Sequence, residues 1–153
     1  MGEKALIKLS KDLQEFLFRA LFCLIFVGLG AEHLFSDTLI QKLMPTWVPF
    51  PRLISFLCGA WLFFWGSLIL LGWQLRAASI ALGVFLIGVT LAVHVPGVVS
   101  VPAQVFPEDQ WMWIILQRTN LVKNLCLLGV CFHLFNHELG RYSLTKYFKP
   151  SPN

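Results

Sequence analysis

The sequence predicts an all-α integral membrane protein: a bundle of four transmembrane helices with a short N-terminal interfacial helix. Three observations predict it. First, 57% of the 153 residues are hydrophobic and only 13% are charged, against about a quarter charged in an ordinary soluble domain; the mean hydropathy is +0.70. Second, the apolar residues gather in runs close to the ~20 residues needed to cross the hydrocarbon core. Third, prolines and glycines separate those runs. The length suits one domain, and four spans leave little chain for a soluble catalytic unit.

Residues 1–15 form the amphipathic N-terminal segment. Leu6, Leu9, Leu13 and Phe16 repeat at helical spacing against Lys8, Lys11, Asp12 and Glu15, the pattern of a helix lying in the membrane interface. A cleaved signal peptide fits poorly: Asp12 and Glu15 interrupt the basic stretch, the apolar run is long, and no small-residue cleavage site follows. Span one is then Phe16 to Phe35, with Arg19, Glu32 and His33 near its ends. The segment from Met44 to Arg52 holds Pro45, Pro49 and Pro51 and cannot continue a helix. Span two, Leu53 to Trp73, has no charge, and Gly72 to Arg76 makes a tight turn. Span three is Leu75 to Val95, with only Arg76 and His94 at its ends; Pro96, Gly97, Pro102 and Pro107 mark the following loop.

Span four is less tidy. Its clean run, Leu125 to Phe135, is too short to cross, so the helix must begin near Trp113 and take in Arg118, Asn120, Lys123 and Asn124. The transmembrane domain is thus residues 16–137, and residues 138–153 form a basic tail. Lys4, Lys8, Lys11, Arg19, Arg76, Arg141, Lys146 and Lys149 fall on one side; Lys42, Arg52, Arg118 and Lys123 fall on the other. Eight against four of the 12 basic residues places both termini in the cytoplasm. Trp47, Trp111 and Trp113 then belong to the outer interface and Trp73 to the inner one. The small-xxx-small pairs Ala77/Ala81, Ser79/Gly83 and Gly88/Ala92, with Gly28, Gly30, Gly59 and Gly66, read as sites of close helix packing.

Net charge +4 raises the question of nucleic acid, but the basic residues sit at span ends, where topology and lipid headgroups explain them. No nucleic-acid-binding motif is present. Cys23, Cys58, Cys126 and Cys131 all lie in apolar stretches without CxxC spacing and read as small core residues. No GxSxG, Walker A or GxGxxG motif occurs.

Polar residues at membrane depth carry the functional reading, because ionisable groups are expensive there and usually face the bundle interior. Topology brings Glu32, His33, His94, Arg118, Asn120, Lys123 and Asn124 to one level, in the outer leaflet. Asn120, Lys123 and Asn124 are spaced i, i+3, i+4 and share a helix face, which continues to Leu127 and Cys131. The expected site is an outer-leaflet pocket between spans one, three and four, lined by His33, His94, Asn120, Lys123 and Asn124. Glu32 is a partner for Lys123, and the loop bearing Trp47 is a lid. Such donors suit quinone carbonyls, a lipid headgroup or a small anion, and histidine moves protons near neutral pH. The alternative is interfacial: Lys123 snorkels and the histidines bond loop carbonyls. A second pair, His133 and His137, has i, i+4 spacing that can hold a metal or haem iron. With no HExxH or CxxCH, an ordinary interfacial helix end is favoured and no metal is expected.

Several short motifs together resemble the DoxX/DoxX-like family of small four-helix membrane proteins. Arg19 opens span one and the run from Gly28 through Gly30, Glu32 and His33 to Phe35 closes it. Pro45-Thr-Trp-Val-Pro49 follows, with Gly59 in span two, Leu75-Arg76-Ala77-Ala78 at the start of span three, and N-x-x-K-N at the start of span four. The resemblance covers residues 15 to 136. It implies a four-helix bundle in a bacterial cytoplasmic membrane, linked to quinone-reducing thiosulfate oxidation or to membrane oxidoreductase assemblies. It implies no covalently bound cofactor, with quinone as the candidate ligand. Relatives often place an acid a few residues after the span-two glycine; here that position is Leu62, which weakens a catalytic reading and leaves enzyme status open. Three functions compete: a quinone-linked redox subunit, a non-catalytic accessory subunit packing on a larger membrane complex or on its own copy, and a small transporter or lipid-handling protein. The last lacks the paired interrupted helices of alternating access.

Overall fold

A computed structural model describes residues 9–36, 38–103 and 105–148, and all regular structure among them is helical. The elements are α1 (Lys11–Phe35), α2 (Thr38–Leu43), α3 (Pro51–Leu71), α4 (Leu75–Val89), α5 (Val95–Val99), α6 (Gln110–Phe135) and α7 (Leu144–Phe148). A π-helical turn, Thr90–His94, joins α4 to α5, so Leu75–Val99 is one continuous 25-residue helix.

Local chemistry sets the ends. Ser10 caps α1, its hydroxyl accepting from the Leu13 N–H at 3.3 Å. The helix therefore begins at Lys11, so Lys11 to Glu15 of the amphipathic segment belong to the first long helix; residues 1–8 of that segment lie outside the described residues. Pro51 opens α3 at the position where its missing N–H costs nothing. At the other end Gly72 adopts φ +66, and the N–H of Trp73 closes back on the Leu68 carbonyl at 2.9 Å, so α3 stops two residues short of Trp73. Pro96, expected in a loop, sits inside a helix instead. The Val95 N–H reaches five residues back to the Thr90 carbonyl, and this wide turn carries the helix past a residue that has no N–H to place.

α1 and α3 run antiparallel and so do α4 and α6, with α3 and α4 joined by the Gly72 turn. Both described ends of the chain lie at one end of the bundle, here called the terminal end. The core between the pairs holds Phe22, Phe26, Leu62, Ile69, Leu82, Leu86, Cys131 and Leu134. In lipid, apolar contact alone gives helices no preference for one another over acyl chains, so close approach and polar bonds decide the packing. Gly30 and Gly59 supply the approach: a Cβ on Gly59 would stand 2.6 Å from the His33 Cβ, and one on Gly30 would stand 2.7 Å from the Phe63 backbone nitrogen. On the third long helix only Ser79/Gly83, of the three small pairs, is buried on both members; Ala77, Gly88 and Ala92 are exposed.

Lys11–Phe35, Pro51–Leu71 and Leu75–Val99 are long and apolar enough to cross a membrane. The fourth long helix, α6, has 26 residues, but its polar block from Gln117 to Asn124 keeps it out of that set.

Candidate functional site

At the end of the bundle opposite the termini, the third and fourth long helices meet along a polar seam. The Asn124 side-chain amide donates to the Thr90 hydroxyl at 3.1 Å, with Asn124 6% and Thr90 8% exposed. One turn further out, His94 Nδ1 lies 2.8 Å from Gln117 Oε1. Gln117 is buried against Gly97, where a Cβ would stand 2.8 Å from the Gln117 Cδ. The Trp113 indole N–H donates to the Gly97 carbonyl at 3.0 Å. Gln117, Asn124 and Cys131 recur every seven residues and are all buried, so the polar stripe faces the protein. The π-helical turn spans the donors and acceptors on the other side: Thr90 begins it and His94 ends it.

Beside this seam lies a cavity of about 530 Å³. Trp47, Pro96, Gly97, Met112 and Trp113 form much of its wall, and Thr46, Ser100 and Asp109 supply its polar groups. Trp47, predicted as a lid, does line it. The histidines and Lys123 do not. His33 is tied to α3, its Nδ1 3.0 Å from the Ser55 hydroxyl, and Ser55 is fully buried. Lys123 donates to Asn120 on its own helix at 2.8 Å, and Glu32 is exposed and not paired with it. The predicted cluster is therefore divided. His33 belongs to the α1–α3 contact, and His94 and Asn124 to the seam. Asn120 and Lys123 form a pair along α6.

His133 and His137 do not share a helix, because α6 ends at Phe135. Their rings are 5.2 Å apart, both against Phe18, and His137 Nε2 lies 3.9 Å from a Glu15 oxygen. Among the described residues no three His, Cys, Asp or Glu side chains are placed to hold a metal ion.

Sequence reasoning missed Arg19 as a structural centre by counting it with the exposed topology charges. It is 0% exposed. Its guanidinium pairs with Glu15 one turn back and donates to the last carbonyls of α3, Ile69 at 3.0 Å and Leu70. It also donates to the Tyr142 carbonyl of the tail at 2.6 Å. The tail is further held by Asp12, which accepts from the Arg141 N–H at 2.9 Å, and by Thr145, whose hydroxyl donates to the Gly72 carbonyl at 2.7 Å. Glu15 and Arg19 at i, i+4 in an otherwise apolar stretch was the available signal. Gln117 could have been found by extending the Asn124 stripe back seven residues; Ser55 and Thr90 carry no such signal.

The DoxX family model matches residues 15–95, more than half of the chain. The chain belongs to the DoxX family. No match was found among curated proteins or among solved structures. The DoxX match and the three apolar helices together make this an integral membrane protein. The DoxX region holds Arg19, His33, Gly59, Arg76 and His94, and ends at Val95, just past the π-helical turn. Leu62 is 3% exposed within the apolar core of this DoxX chain.

Proposed function

We propose that this DoxX protein is a four-span subunit of a redox-linked membrane system. It holds a quinone-like amphiphile in the cavity beside the polar seam and has no prosthetic group of its own. The cavity carries this reading. Its volume of about 530 Å³ falls within the ~300–1,000 Å³ of small-ligand sites, which are mostly apolar with a few placed polar groups. Indole faces from Trp47 and Trp113 suit a flat ring, and the Thr46 hydroxyl can donate to one of its carbonyls; the Ser100 hydroxyl already donates to the Pro96 carbonyl at 3.2 Å. His94 and Gln117 act behind the wall, fixing Gly97 and Trp113.

The fourth span is α6. At 1.5 Å per residue its 26 residues reach about 39 Å, enough for the hydrocarbon core. Gln117 and Asn124 find partners on the third long helix, and in a spanning α6 the long side chains of Arg118 and Lys123 snorkel toward the headgroups. Both termini then share one side, the cytoplasmic one by the count of basic residues.

The test is a fluorescence titration of the purified protein with a short-chain benzoquinone. Saturable quenching is expected, with affinity about tenfold weaker in Trp47→Ala, as for an aromatic anchor, and lost in Met112→Trp, which fills the cavity. Unsaturable quenching, or equal affinity in both variants, contradicts the assignment.

A second reading, an accessory subunit packing on a larger complex or on its own copy, draws on α3. Trp61, Phe64 and Leu57 are exposed along it. A protein that always runs as a lone chain after gentle extraction argues against it.

A further inference from the structure

A second cavity, of about 280 Å³, opens at the terminal end of the bundle, far from the site above. Trp73, Gln74, Leu75 and Arg76 of the α3–α4 turn wall it on one side, and Leu139, Thr145 and Phe148 of the strapped tail on the other. The tail is held there by the Thr145 bonds to Gly72 and the Arg19 bond to Tyr142, so the cavity is a built feature of the fold.

Arg76 is its cation. The guanidinium stacks over the Phe135 ring at 4.8 Å and makes one long contact, 3.5 Å, to the Asn136 side-chain oxygen. Among the described residues it meets no carboxylate. The neighbouring acids are engaged elsewhere: Glu15 by Arg19, Asp12 by the Arg141 N–H. Glu138 is exposed and forms no ion pair among the described residues. Arg141 and Lys146 add exposed positive charge at the same end, and Trp73, Tyr142, Tyr147 and Phe148 are exposed around them. Exposed aromatic and basic side chains together are the composition of a headgroup-level surface.

Below Arg76 the helix presents Ile80 and Val84, one and two turns on, both more than half exposed. This apolar track leads from the guanidinium toward the middle of the membrane. A cation in an aromatic-walled recess at headgroup level, continuous with an apolar stripe, matches a phosphodiester with acyl chains attached. It does not match a free anion, which would have no use for the track.

We propose that the recess at Arg76 is a binding site for an anionic glycerophospholipid of the leaflet on the terminal side. Arg76 takes the phosphodiester, Thr145 and the tail close over the headgroup, and the acyl chains lie along Ile80 and Val84.

The experiment is native mass spectrometry of the full chain released from micelles holding equal amounts of phosphatidylglycerol and phosphatidylcholine. The wild type is expected to retain phosphatidylglycerol preferentially. Arg76→Gln should lower that preference about fivefold, the attraction of one basic residue near an anionic surface, with Arg76→Lys restoring part of it. Arg141→Gln and Lys146→Gln, outside the recess, should change it much less, and inorganic phosphate should not displace the lipid. Absence of preference in the wild type overturns the proposal. So does an Arg76→Gln variant that keeps it, a loss shared equally by the tail variants (diffuse charge instead of a site), or displacement by phosphate (a free-anion site). Arg76 is exposed, and an unchanged thermal transition in the variant separates lost binding from lost fold.

Discussion

The two antiparallel pairs of this bundle are held together by different physics. α1 and α3 meet backbone to backbone at Gly30 and Gly59, and Arg19 ties α1 to the end of α3 at Ile69 and Leu70. The third long helix, Leu75–Val99, instead meets α6 through side chains on its π-helical turn: Thr90 with Asn124, His94 with Gln117. In the first pair the polar groups at the contact, Arg19 and His33 with Ser55, are bonded within close-packed helices. The second keeps hydrogen-bonded groups beside a cavity, with a π-helical turn where the backbone has been opened. The rigid pair therefore serves as the frame, and the polar pair carries the candidate site.

Substitutions can break this contrast. The largest effect is expected at Arg19. Arg19→Ala leaves Glu15 buried without its partner and frees the tail, a loss of about 3–5 kcal/mol, the cost of breaking a buried ion pair from one side. Unfolding in detergent followed by circular dichroism measures it. Gly59→Ala comes next: its Cβ would collide with His33 and with the Gly30 carbonyl, and overpacking of this kind costs about 1–3 kcal/mol. In the polar pair, a Thr90→Val, Asn124→Leu double-mutant cycle should give a coupling of about 0.6 kcal/mol, and at most about 1.7, the range for interhelical hydrogen bonds in membranes. A coupling as large as the Gly59 effect would erase the distinction between the two pairs. The smallest effect belongs to Gly28→Ala, where an added Cβ meets nothing within 4 Å; a change within about 0.5 kcal/mol is expected.

The contrast also explains what was legible in the sequence. Spans two and three were readable because apolar length is a local property, and their helices fall within a few residues of the expected bounds. The family was readable from short motifs around Arg19, His33 and Arg76. Of the predicted pocket residues, His94 and Asn124 do meet the same seam, but the others do not join it. Helical spacing placed Asn120, Lys123 and Asn124 on one side of α6. It could not show that Asn124 turns to Thr90 while Lys123 bonds back to Asn120, because partner choice depends on the rotation of neighbouring helices. The cavity itself was legible only through Trp47. Its other walls, Pro96 and Gly97, read as loop-makers, and the π-helical turn that absorbs them is invisible to residue spacing.

The account rests most heavily on α6, whose buried Gln117 and Asn124 are partnered by the third long helix. Its topology is directly measurable. Single cysteines at Asp109 and Asn136, in a chain with Cys23, Cys58, Cys126 and Cys131 replaced, can be labelled with a membrane-impermeant maleimide in sealed vesicles of known orientation. The account predicts that the two positions react from opposite sides of the membrane. Labelling of both from the same side would contradict the fourth span, and with it the placement of the polar seam and its cavity.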